Sequence, residues 1–171
     1  MTQHPTGGTL QRFFSGLSEH VFQSQLGVVD PALTDYVSDL LVRFVRWDAV
    51  YKVRNISGRP VKYISDMLAE ADERLGEARR EVHQHIGDFT LFWTGVYPEA
   101  LRQRKGRVKS DPFGDYCVHG KRAYLIASSI EVDESAEPPN EVLERLGNQF
   151  EMCAYGLREI RREWERLDDE G

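Results

Sequence analysis

Cysteine is nearly absent: Cys117 and Cys153 are the only two among 171 residues. Two thiols make no disulfide framework, and theirs is not the spacing of a metal-binding pair, so a reducing cytoplasm is the expected compartment. Long apolar runs are missing as well, and none approaches the roughly 20 residues needed to cross a bilayer. The opening MTQHPTGG has neither the basic start nor the apolar stretch of a secretory signal. No Gly-rich phosphate loop, nucleophile elbow or zincin histidine pair occurs, which removes most familiar catalytic signatures. No repeat, low-complexity tract or linker divides the chain, so one domain over residues 1–171 is expected, with loose ends at 1–8 and 167–171.

What is present is amphipathic helix. Hydrophobic residues at 40% and charged residues at 29% suit a globular protein. Leu10, Phe13, Phe14, Leu17, Val21 and Phe22 recur at helical spacing up to a stop at Gly27. Asp30-Pro31 reads as a cap followed by the first helical residue, and Leu33, Tyr36, Val37, Leu40, Leu41 and Phe44 follow on one face. The period falters around residues 50–64, where Ser57-Gly58 and Pro60 suggest a small hairpin. Ser65 reads as the cap of a short helix carrying Met67, Leu68, Ala71 and Leu75. Residues 138–166 read as one long helix with Val142, Leu146, Phe150, Cys153, Leu157, Ile160 and Trp164 inward. The fold class predicted is mainly α, a single-domain bundle of about six helices.

The stretch REVHQHIGDFTLFWTGVYPE, residues 80–99, is the predicted centre of that bundle. At 100° per residue Val82, Ile86, Phe89, Trp93 and Val96 form one stripe, yet Leu91 lies opposite, so neighbours should enclose the helix. Gly87 would need the close approach of another chain segment to offset its cost of about 1 kcal/mol. Gly120, Ala123 and Ala127 make a stripe of small residues where that packing is expected.

Glu81, His85 and Asp88 share one flank at intervals of four and three residues. Imidazole with carboxylates is a ligand set for a divalent metal such as zinc, iron or manganese, with Glu81, His85 and Asp88 as ligands. His119, Glu131 or Glu151 would complete it from another helix. The same set suits acid–base catalysis by His85 oriented by Asp88. The structural alternative is a buried His85–Asp88 hydrogen bond, with no metal, and that alternative is favoured. His83, on the opposite flank with Thr90 and Thr94, receives no role. Tyr116, His119, Lys121 and Tyr124 surround the small stripe and are candidates to line a pocket for an anionic or aromatic ligand.

Net charge is −6, which disfavours nucleic acid as a partner. Residues 100–122 hold Arg102, Arg104, Lys105, Arg107, Lys109, Lys121 and Arg122 against Asp111 and Asp115, so this stretch is +5 and the remainder −11. An anionic ligand would be drawn there. Arg158, Arg161, Arg162 and Glu165 on the last helix are suited to pairing with a second subunit.

Gly87-Asp88, Leu91-Phe92, Gly95, Pro98-Glu99 and Leu101, followed by Tyr116, Gly120, Lys121 and Tyr124, carry a pattern that resembles a family of small uncharacterised bacterial helical proteins. The resemblance covers residues 81–128 and implies a recurring helical unit, with no activity attached. Arg80 and His85 also fit the arginine-then-histidine spacing of small helical ribonucleases of the HEPN type, against which the acidic charge argues. The function expected is binding of a protein partner or small ligand without catalysis, away from membranes. The alternative is a metal-dependent or acid–base enzyme using Glu81, His85 and Asp88.

Overall fold

The computed structural model describes residues 7–45, 53–54, 57–59, 62–103 and 112–171. Among them are eight α-helices and no strand: α1 Gly7–Glu19, α2 Pro31–Val45, α3 Ile64–Asp72, α4 Gly76–Val96, α5 Pro98–Gln103, α6 Pro112–Ser129, α7 Asn140–Asn148 and α8 Phe150–Asp169. The protein is therefore mainly α. No described helix is long and apolar enough to cross a membrane. Residues 50–52, 55–56 and 60–61 of the proposed 50–64 hairpin lie outside the described residues, as do Arg104, Lys105, Arg107 and Lys109, and Ile64 already belongs to α3.

Helix ends follow local chemistry. Asp30 caps α2 by accepting the Leu33 N–H at 3.2 Å, and Pro31 opens the helix. A π-helical turn, His20–Gln25, extends α1, and the chain then reverses at Gly27 with φ +67°. Two expectations are corrected. Ser65 lies inside the first turn of α3, and Tyr63 takes the capping position. The long C-terminal helix is two, α7 and α8, divided at Gln149 with φ −116° and ψ 30°. Two residues before the break, Gly147 lies against Leu125 of α6, where a Cβ would meet the leucine at 2.8 Å. Beyond the break, α8 packs against α4, while α7 packs against α6.

Helix α4 is the axis of the bundle. It packs against α6, α8, α3 and α2, while α1 covers α2 and α8. Ile86 and Leu91, on opposite sides of α4, are both 0% exposed, as enclosure on all sides requires. Two pairs of contacts set how closely α6 approaches. The Tyr124 ring lies where a Cβ on Gly87 would fall, at 2.6 Å, and Thr90 Oγ1 lies 2.3 Å from where a Cβ on Gly120 would stand. Ala123 and Ala127 continue the same buried face. On the far side Gly95 admits Leu157 of α8.

This geometry separates two glycines of equal helical propensity. Gly87→Ala would drive a methyl into the Tyr124 ring and lower stability by about 1–3 kcal/mol. Gly16→Ala in α1 meets nothing within 4 Å and would raise stability by up to about 1 kcal/mol. Urea unfolding midpoints check this; equal shifts in one direction would contradict the packing.

Candidate polar cluster and cleft

At the middle of α4 the carboxylate of Asp88 is 1% exposed. A charge so placed is costly unless its lone pairs are filled. Three side chains fill them. Tyr36 of α2 donates its hydroxyl to Oδ1 at 2.6 Å, and Tyr124 of α6 donates to the same oxygen at 2.7 Å. Arg43, two turns along α2 from Tyr36, donates from Nη1 to Oδ2 at 3.1 Å. Gln84, one turn before Asp88 on α4, donates Nε2 to the Tyr36 oxygen at 3.0 Å. The guanidinium carbon of Arg43 also sits 5.6 Å from the Tyr36 ring centroid and 6.0 Å from that of Phe44.

The electrostatics reinforce the bonding. Burial, then the neighbouring Asp88 charge, hold the Tyr36 and Tyr124 hydroxyls well above the ordinary tyrosine range, so both remain donors. Burial works against the Arg43 charge, but the Asp88 carboxylate together with Tyr36 and Tyr124 outweighs it and keeps the guanidinium more firmly protonated than usual.

Outward from this cluster lies a cleft of about 700 Å³ between α2, the first half of α4 and the loop 131–139. Tyr36, Arg43 and Gln84 line it, together with Asp39, Glu77 and Glu81. The loop contributes Asp133, Ser135 and Glu137. Arg80, 5% exposed, anchors that wall: its Nε and Nη2 donate to Asn140 Oδ1 at 3.1 and 2.9 Å, and Nη2 also donates to the Pro138 carbonyl. Asn140 in turn donates to the Ile130 carbonyl at 2.9 Å.

The sequence candidates fall in different places. Glu81 is exposed at the cleft edge, whereas His85 is 3% exposed, stacked at 6.1 Å on Phe44 and 6.1 Å from Phe89. The expected His85–Asp88 hydrogen bond is not formed, because Tyr36, Tyr124 and Arg43 occupy the carboxylate. No group of three described His, Cys, Asp or Glu side chains, with Glu81, His85 and Asp88 or with His119, Glu131 and Glu151, is arranged to hold a metal. Among the described residues Tyr116 and Lys121 line different pockets. Tyr124 is closed into the core, Tyr116 packs against Phe89 at 6.1 Å, His119 is half-buried, and Lys121 pairs with Glu151 at 2.6 Å. Arg80 is engaged by the loop and His85 by aromatic rings, so the two do not meet on one open face. On α8, Arg161 pairs with Glu165 and Glu99 and donates to the Val96 carbonyl, and Arg162 pairs with Glu159, all within the chain.

Sequence reasoning had no role for Tyr36, Arg43 or Gln84. Their one signal was a phenol inside the apolar stripe of α2 with an arginine seven residues on, which puts both on the same face. Comparison of the chain with protein families, with curated proteins and with solved structures finds no match.

His83 is a further buried polar group of α4. It is 3% exposed, and neither ring nitrogen has a hydrogen-bond partner among the described residues. Burial, aided by Arg79 and opposed by Asp72, lowers its pKa below the ordinary 6.5. A histidine that resists protonation only when folded contributes full stability above pH 6.5 and loses it as pH falls from there toward its folded pKa. Urea midpoints measured from pH 7.5 to 5.5 should therefore fall with pH, and His83→Gln should flatten the slope. An unchanged slope in the variant would contradict this account of His83.

Proposed function

We propose that this protein acts by binding a small ligand in the cleft between α2, α4 and the loop 131–139, rather than by catalysis. The observation that carries the reading is the cleft floor: Tyr36, Arg43 and Gln84 reach it already held by the Asp88 cluster. Groups fixed in advance lose little freedom when a ligand arrives, which favours recognition. The cleft volume also falls within the usual range for ligand sites, about 300–1,000 Å³.

The enzyme alternative needs His85 and Asp88 at a solvent-reachable point. Burial of both, and the three donors already bonded to Asp88, weigh against it. An anionic ligand was expected over residues 100–122, and Arg104, Lys105, Arg107 and Lys109, four of the seven cations behind that expectation, lie outside the described residues. The cleft itself carries five carboxylates against two arginines. The cytoplasm remains the compartment of this reading, supported by two free cysteines, with burial pushing the Cys153 thiol up to about 12. The likeness to small bacterial helical proteins belongs to the same proposal. Gly87, Gly120 and Tyr124 of that pattern stand where α4 and α6 meet, which supports reading residues 81–128 as one unit.

A thermal-shift screen of small metabolites tests the reading. A ligand present at 100 times its Kd would stabilise the protein by about 2.7 kcal/mol and raise Tm. Ala136→Trp, in the cleft wall, should abolish the response. A response that persists in Ala136→Trp, or none from any compound, would contradict the proposal.

A further inference from the structure

The cleft carries charge that folding does not use. Asp39, Glu77, Glu81 and Glu137 have no side-chain hydrogen-bond or ion-pair partner among the described residues, and the carboxylate of Asp133 accepts only from Ser135. Like charges gathered around one concavity repel and weaken the empty protein. The opposite charge sits deeper. Arg43, with 38% of its side chain exposed, gives one N–H to Asp88 and lines the cleft. Gln84 gives its amide nitrogen to Tyr36, which leaves its carbonyl oxygen as an acceptor. Arg80 faces neutral oxygens only. The cleft therefore offers a guanidinium at its floor inside a ring of unpaired carboxylates.

We propose that the ligand is a small zwitterion with surplus positive charge, of the amino-acid class with a basic side chain, its carboxylate on Arg43 and its cationic groups among Glu77 and Glu81. The proposal rests on the reading of the cleft as the binding site. A simple anion would meet five carboxylates on its way to one guanidinium. A simple polyamine would satisfy the rim but place cationic nitrogen against Arg43. A basic amino acid answers both signs at once, since guanidinium binds carboxylate through paired N–H groups and carboxylates accept from ammonium. The free carboxylates are then explained as groups whose partner arrives with the ligand.

Isothermal titration of the full chain with lysine, arginine, spermidine and glutamate tests the class. Lysine or arginine should bind about 10-fold or more tightly than either spermidine or glutamate. Glu81→Gln should weaken that binding about 10-fold while leaving the urea midpoint unchanged or higher, because it removes an unpaired charge. Arg43→Lys should weaken the amino acid far more than spermidine; if that variant does not fold, Glu81→Gln still decides. Spermidine binding as tightly as lysine would overturn the proposal in favour of a plain cation, and glutamate binding best in favour of an anion. Failure of all four probes would also overturn it. The cleft reading itself would then stand only if another compound stabilises the wild type and not Ala136→Trp.

Discussion

One carboxylate in the middle of one helix constrains the positions of two others. Asp88 is enclosed, and an enclosed charge left without partners would cost several kcal/mol. Its donors come from α2 and α6, so both helices must sit where Tyr36, Arg43 and Tyr124 can reach it. Gly87, one residue before Asp88, is what lets the Tyr124 ring come close enough. The same bonds that order the core also decide which polar groups face the cleft, since Tyr36 and Arg43 belong to both.

Local features of the chain were legible because their causes are local. The Asp30-Pro31 cap, the reversal at Gly27 and the enclosure of α4 implied by Leu91 opposite Ile86 all depend on residues within a few turns. The stripe of Gly120, Ala123 and Ala127 was legible as a packing face for the same reason. The break at Gln149 was not, because the amphipathic period runs on through it.

The candidate site shows the same division. Helical spacing brought His85 and Asp88 within reach of each other, but reach is not partnership. Tyr36 and Arg43 lie 52 and 45 residues from Asp88 in sequence, and nothing in the intervening pattern links them. Phe44, from that same helix, stacks on His85 instead. Of the proposed triad, only Glu81 stands at the cleft. The wall it faces is built from a loop, held by a buried arginine, that has no periodicity to read.

Asp88 is the common acceptor that joins α2 to α4. A double-mutant cycle of Tyr36→Phe with Asp88→Asn, read from urea unfolding at pH 7, tests it most directly. The two changes should be coupled by about 1–2 kcal/mol, because each removes the same charge-assisted bond. Effects that add to within about 0.5 kcal/mol would mean the two side chains act independently and that the carboxylate does not join the helices.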